Sequence, residues 1–342
     1  MRNVFALSLT VNPEKQAAQE IERLLKYPGF LRRDIFAKAR AEIVELRIDN
    51  KSKLRDVSLM EMNAIVKCKV LVCTVLRDGK AVAPKGNFIL REGDRIFVTA
   101  PTNNLATLLK NLGIVTRRVR NVILCGGGRV SYYLASLLEK DGMNVQIIES
   151  NRERCAELAT LLPDTTIIHG DGTDQDLLNS QGLSQCDALV TLTGVDELNM
   201  IVSLYGMKQN VPLVITKLSR MDNRSIVDSL SLGSVVCPKE LCCNSIVRYV
   251  RAMQKQTGAA LSLRTIADGQ AEAIEFLVDK HTHNCGVPLK QLKLKSDVLV
   301  AMINRGAYTE IPSGDSYFRA GDSVVVVTSG QGTLQDLNDI FA

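Results

Sequence analysis

Three consecutive glycines, Gly126, Gly127 and Gly128, end a short apolar run that starts at Asn121. A phosphate held by backbone needs such a place: N–H groups at the start of a helix, with no Cβ to keep the anion away. Gly126 permits the tight turn and Gly128 the close approach, while the third position of the G-x-G-x-x-G pattern falls on Ser131. That position serves helix–strand packing, so a small Ser weakens the pattern without breaking it. A second apolar run, Val145 to Ile148, ends in Glu149. A carboxylate there accepts hydrogen bonds from a ribose diol and repels a 2′-phosphate, which predicts NAD or an adenine nucleotide in preference to NADP. Arg129 opens the helix, where a cation is unfavourable beside the dipole unless an anion lies next to it. Asp171 and Thr193 follow the third and fourth apolar runs, on the edge where such sheets hold a ligand. Two of these residues have plainer uses: Glu149 as a cap for the next helix, and Asp171 as a turn former.

Chemistry on a bound nucleotide would need a proton donor or acceptor, often His, Lys or Tyr. The three histidines are His169, at the binding edge, and His281 and His283, far along the chain. His281, His283 and Cys285 alternate as metal ligands can, but no fourth ligand accompanies them. No remaining stretch is large enough for a catalytic domain, so the expected role is binding rather than catalysis, with an NAD-dependent oxidoreductase as the alternative. A DNA-binding redox sensor is disfavoured by the lack of a helix-turn-helix segment or a strong basic stripe.

The elements that must position these residues read as strict alternation. Strands are expected at 121–125, 144–149, 165–169, 188–193, 212–217 and 234–237. Helices fit at about 129–141, 151–161, 174–180, 195–209, 222–230 and 240–255. Parallel neighbours need such crossovers, so residues 117–256 predict an α/β, doubly wound parallel-sheet Rossmann domain. It is flanked by two small α+β domains, 35–116 and 257–342, that repeat one another. Arg319-Ala-Gly-Asp322 before an apolar strand echoes Arg91-Glu-Gly-Asp94, Pro312-Ser-Gly314 echoes Pro84-Lys-Gly86, and leucine-spaced helices are expected after both, at Leu105 to Leu112 and around Leu334 and Leu337. A short helix is expected from Leu54 to Met62 and a hairpin turn at Arg77 to Lys80. Ahead of the first copy, residues 1–34 carry a strand at Val4 to Leu7 and a helix after Asn12-Pro13-Glu14, too little to bury a core alone.

Composition excludes other classes. A net charge of +5, with aromatic residues at 4% and no Trp, gives no nucleic-acid signal. No apolar run approaches the length of a membrane span or forms a signal peptide, which predicts a cytoplasmic chain. The cysteines number nine, two of them adjacent and none in a C-x-x-C pair, so buried free thiols are expected rather than disulfides or zinc.

Taken together, Gly126-Gly-Gly-Arg129, Glu149-Ser-Asn-Arg152, Gly170-Asp-Gly-Thr-Asp174 and Thr193-Gly-Val-Asp-Glu-Leu-Asn199 resemble the domains that regulate potassium conductance. The small–Rossmann–small order, with a Pro-Glu helix and Tyr27-Pro-Gly29 in front, is similar to the regulatory subunits of Trk-type potassium uptake. In that family two Rossmann-plus-small units are fused, which makes residues 1–34 the remnant strand and helix of a first Rossmann domain. The resemblance implies a regulator that gates uptake by sensing NAD(H) or ATP/ADP. It implies a homo-oligomer, a dimer or tetrameric ring, lying in the cytoplasm on the inner face of the membrane beneath a potassium-translocating membrane subunit. Carried over, the phosphates would lie at Gly126, Gly127, Gly128, Arg129 and Val130, and the ribose at Glu149. Asp171 and Thr193 would complete the crevice.

Overall fold

A computed structural model describes residues 9–36, 41–101, 104–114, 118–220, 230, 232–253, 260–306, 308–329 and 334–342. The chain divides into two compact units: Met1–Leu31 with Arg117–Ser245, and Arg32–Thr116 with Ile246–Ala342. Among the described residues no helix is long and apolar enough to cross a membrane.

Helix α1 (Pro13–Lys26) begins where its caps dictate. The Asn12 side chain accepts from the Lys15 amide at 2.9 Å, Pro13 needs no hydrogen bond at that position, and Glu14 complements the dipole. Gly29, at φ +110°, follows its end. The stripe Ala17, Ala18, Ile21, Leu24 and Leu25 is buried in the core of the first unit, so the N-terminal helix docks on the Rossmann domain. The strand expected at Val4 to Leu7 lies outside the described residues.

The first repeat follows as β1 (Arg32–Phe36), β2 (Ala41–Arg47), α2 (Leu59–Val66), β3 (Leu71–Arg77), β4 (Lys80–Val82), β5 (Arg95–Pro101) and α3 (Leu105–Leu112). Its sheet starts with β1, ahead of the boundary expected at residue 35. Helix α2 starts later than the expected Leu54 because Ser58 and Glu61 form a reciprocal capping box that sets its first residue. Asp78 and Gly79 both have positive φ, the backbone that a two-residue hairpin turn requires.

The alternating segment folds as β6 (Asn121–Cys125), α4 (Arg129–Lys140), β7 (Asn144–Glu149), α5 (Arg152–Leu161), β8 (Thr166–His169), α6 (Gln175–Ser180), β9 (Ala188–Thr191), α7 (Asp196–Lys208), β10 (Leu213–Lys217), β11 (Ser234–Val236) and α8 (Pro238–Met253). The helix expected at 222–230 falls almost entirely outside the described residues. The strands form one parallel sheet in the order β11-β10-β9-β6-β7-β8. The direction of winding reverses between β6 and β9, and that switch point opens a crevice at the carboxyl ends of the strands. Val122 and Leu124 of β6 face a core shared with α1, α4 and α5, while Ile123 and Cys125 face one shared with α6 and α7. A strand covered on both sides has no polar alternation, which is why β6 reads as a continuous apolar run.

The second repeat comprises β12 (Ala260–Ile266), β13 (Ala271–Leu277), β14 (Val298–Arg305), β15 (Tyr308–Glu310) and β16 (Ser323–Thr328). Its sheet order, β12-β13-β16-β14-β15, reproduces β1-β2-β5-β3-β4, all antiparallel, and both third strands carry a register shift, at Val72/Thr74 and Val300/Met302. The repeats share one core: Phe36, Ile43, Leu76 and Phe97 pack with Ile266, Met302, Val325 and Val327. Among the described residues 334–342 the helix expected after the second copy is not formed. Asp336 and Asp339 cap a single 3-10 turn, Leu337–Ile340, after which Phe341 bridges to Leu294 and the chain leaves helical geometry.

Candidate functional site

The glycine loop is built by its neighbours. Gly126 has φ +101°, donates to the Ile148 carbonyl at 2.8 Å, and a Cβ there would meet the Leu192 and Thr193 backbone at 3.0 Å. A Cβ on Gly127 would meet Leu158 Cδ1 at 2.7 Å and Glu149 Cβ and Cγ at 3.0 Å. Backbone packing and φ therefore demand glycine at Gly126, whereas at Gly127 a Cβ would require the Leu158 and Glu149 side chains to shift. Gly128 differs: it is the N-cap of α4, no side chain caps it, and a Cβ there would find nothing within 4 Å. Its φ of −67° is open to any residue. Space, not strain, is what Gly128 supplies.

Ser131, fully buried, donates its hydroxyl to the Gly126 carbonyl, so the residue that departs from the glycine pattern closes the loop from below. Glu149 holds it from the side: Oε2 accepts from the Gly127 amide at 2.6 Å and Oε1 from the Asn151 amide at 2.7 Å. An ionised carboxylate has about four lone-pair sites, so capping and a ribose diol are compatible uses of one side chain. Arg154 of α5 adds a third tie, donating from Nε to the Gly127 carbonyl at 2.8 Å. Val130 turns its side chain into the core, leaving only its backbone for a ligand. Arg129 is 81% exposed and lies 3.6 Å from Glu14 of α1.

Across the switch point, Thr193 donates from its amide and hydroxyl to Asn199 Oδ1 at 2.9 and 2.8 Å. The Thr193 carbonyl accepts from Lys217 Nζ at 2.6 Å and from Asn199 Nδ2 at 3.2 Å. Burial pushes the Lys217 ammonium below its ordinary range, and the Asp196 carboxylate opposes that shift. Asp171 forms the turn expected of it. Its Oδ1 accepts from the Thr173 amide at 2.9 Å and hydroxyl at 2.8 Å, which hold the carboxyl below the usual range. Asp174, not Asp171, caps α6. The structure thus brings Gly126, Gly127, Gly128, Glu149 and Thr193 together around the end of β6. Asp171 follows β8, two strands away, but its loop returns to the same end of β6: a Cβ on the next residue, Gly172, would meet Cys125 Cβ at 3.3 Å.

Residues 122–238 match the TrkA-N domain, and residues 43–113 and 273–342 each match the TrkA-C domain. The chain carries one TrkA-N domain between two TrkA-C domains. Curated relatives include the Trk system potassium uptake protein TrkA homolog 1 of Methanosarcina mazei, 28% identical over 95% of this chain and 71% of that protein. The TrkA homolog of Archaeoglobus fulgidus is 27% identical over 96% of this chain and 72% of its own length, and Haemophilus influenzae TrkA 25% identical over 97% and 72%. Among solved structures, the GsuK RCK domain superposes with a TM-score of 0.53 at 13% identity, covering 96% of this chain and 70% of that one. A GsuK channel bound to NAD gives 0.51 at 13%, over 94% and 57%. At that identity the likeness concerns the fold alone.

Three residues of the TrkA-N domain hold the crevice beyond the expected site: Arg154, Asn199 and Lys217. Arg154 had one local signal, its place one turn after the Asn151 cap, where its guanidinium can reach back over the loop. Asn199 closes the Thr193–Asn199 stretch and reaches back six residues to Thr193, a local contact, whereas Lys217 had no signal, because the Thr193 backbone becomes its neighbour only when β9 and β10 pair side by side.

Proposed function

We propose that the chain is a nucleotide-binding regulatory subunit of a Trk-type potassium uptake system, binding NAD(H) or ATP/ADP as a signal and not as a substrate. The observation that carries this reading is the open space over Gly128. Gly126 is required by packing and Gly127 is tightly enclosed by side chains, whereas Gly128 keeps a helix N-terminus bare at the switch point, with Glu149 already oriented beside it. Backbone amides at such a helix start suit a phosphate, and the Glu149 carboxylate suits a ribose diol. The named function of the relatives and the NAD held by a fold neighbour support a regulatory, nucleotide-dependent role.

In this reading the phosphates lie over the Gly126, Gly127 and Gly128 turn against Arg129 and the Val130 amide, the Gly126 and Gly127 amides being already engaged by Ile148 and Glu149, with Asp171 and Thr193 on the flanks. The subunit works as a homo-oligomer, peripheral on the cytoplasmic face of the membrane and bound to a potassium-translocating subunit. A ligand shifts such an assembly only by its differential affinity for two arrangements, so ligands that fill the crevice differently can bias it in opposite directions.

The test is calorimetric titration of the protein with NAD, NADH, ADP and ATP, followed by a search for turnover. Saturable binding of at least one nucleotide, with no loss of NADH absorbance when simple carbonyl substrates are added, is the expected result. Steady NADH oxidation would replace the regulator by an oxidoreductase, and failure of all four to bind would end the nucleotide reading.

A further inference from the structure

The crevice has a neighbour that its motif does not include. Helices α1 and α4 pack in parallel: Asn12 Nδ2 lies 3.5 Å from Tyr133 Oη and Glu14 3.6 Å from Arg129 at their amino ends, and Lys26 lies 2.8 Å from Asp141 at their carboxyl ends. Between these contacts Ala17, Ile21 and Leu24 share a core with Val130, Leu134 and Leu138. Two positive helix ends therefore lie side by side at the glycine loop, with Arg129 between them. Like-signed dipole ends and a cation at a helix start are mutually unfavourable. Glu14 is the carboxylate that offsets them, and a bound phosphate would do the same from the other side of Arg129.

We infer that Glu14 is the built-in counter-ion of the glycine loop: it pairs with Arg129 in the free protein and yields it to a nucleotide phosphate, so that occupancy is felt in the first turn of α1. The inference rests on the nucleotide-binding reading above. An exchange of this kind must be shallow to be reversible. An exposed ion pair, with Arg129 at 81% exposure, is of that kind. In sequence, α1 is the segment that leaves this unit for β1 of the other, which makes its first turn a useful place to register the ligand.

A double-mutant cycle tests it, using calorimetry with whichever of ADP and NAD the wild type binds. Glu14→Gln is expected to tighten binding by about two- to five-fold, the range an exposed pair can supply. Thermal stability should fall slightly at the same time, because α1 loses the acid of its first turn. Arg129→Gln weakens binding, and in the double variant the gain from Glu14→Gln disappears. Amide exchange at Lys15 and Gln16 is expected to change when ligand is added to the wild type but not to Arg129→Gln. Unchanged affinity in Glu14→Gln, a gain that persists without Arg129, or α1 exchange indifferent to ligand would each overturn the inference while leaving nucleotide binding intact. A wild type that binds neither probe would sink the underlying reading first, before any variant is made.

Discussion

Gly126 and Gly128 are the same residue type two positions apart, yet they are needed for different reasons and should fail differently. Alanine at Gly126 must adopt φ +101° and press its Cβ to 3.0 Å from the Leu192 and Thr193 backbone. Neither strain can be relieved by a side-chain rotation, so Gly126→Ala should cost about 2–3 kcal/mol in chemical denaturation. A Cβ at Gly128 meets nothing within 4 Å, and valine accepts the existing backbone. Gly128→Val should cost no more than about 1 kcal/mol, the scale of an altered N-cap, while abolishing nucleotide binding, because its methyl groups would occupy the proposed phosphate position. Binding by Gly128→Val at wild-type affinity would show that the phosphate lies elsewhere. Spacing in the sequence was enough to select these glycines and Glu149. It was not enough to separate them, because what a Cβ would touch depends on the course of the chain after β9.

The Gly-Asp signature of the small repeats is a local device used twice, and its meaning is visible only in the paired strands. Gly93 and Gly321 take φ near +90° and turn the chain so that Asp94 and Asp322 are buried. Each carboxylate then accepts two hydrogen bonds from an arginine of the neighbouring strand: Arg77 on Asp94 at 2.8 and 2.7 Å, and Arg305 on Asp322 at 3.0 and 2.7 Å. Each also caps the turn, through the amides of Arg91 and Arg319 at 2.7 and 2.8 Å. The arginines stack over Phe88 and Tyr317. Removing the charge from a buried bidentate partner leaves a half-buried guanidinium poorly satisfied. Asp94→Asn or Asp322→Asn should therefore lose about 2 kcal/mol of stability in urea unfolding, with nucleotide binding unchanged. Equal losses in the two variants would show that the repeats are energetically as well as topologically equivalent. The repeat itself was legible in Arg91-Glu-Gly-Asp94 and Arg319-Ala-Gly-Asp322. The arginine partners were not, since Arg77 and Arg305 belong to strands that precede their aspartates in the chain and reach them through sheet register. Nor was the loss of the last helix: the Leu334 and Leu337 spacing matches that of α3, but an Asp336–Asp339 capping box and the bridge of Phe341 to Leu294 leave room for one 3-10 turn.

At the scale of the whole molecule, the chain crosses between its two units more than once. The first unit joins α1 to the Rossmann sheet, and the second joins the two repeats around one core. The repeats are tied across that core by Arg95, which donates to Glu45 of its own repeat and to both oxygens of Asp268 in the other, at 2.7 and 3.1 Å. Gln270 adds a second tie, donating to the Gly79 carbonyl at 2.6 Å and accepting from the Ala81 amide at 3.0 Å. Each unit buries its own core, so differential scanning calorimetry should resolve two transitions. A nucleotide at one hundred times its Kd should raise the stability of the Rossmann unit by about 2.7 kcal/mol and leave the repeat unit unmoved. A single transition, or a ligand shift in both, would mean that the units unfold as one.

The division between what could be read and what had to be built follows from the range of the forces involved. Helix periodicity, apolar strand runs, caps such as Asn12 and Ser58, and the glycine spacing all act within one or two turns of chain, so the sequence alone determined a Rossmann domain between two copies of a small domain, with a glycine turn at Gly126 to Gly128 and Glu149 at the end of the next strand. The partners of those residues act across sheets and between helices far apart in sequence. Lys217 and Asn199 meet at Thr193 because β9 pairs with β10, Arg154 reaches Gly127 because α5 returns over the loop, and Glu14 reaches Arg129 because α1 packs in parallel with α4. Only the tertiary structure could decide that the helix preceding the first repeat belongs to the nucleotide domain, since its apolar stripe records that it must be buried but not against what.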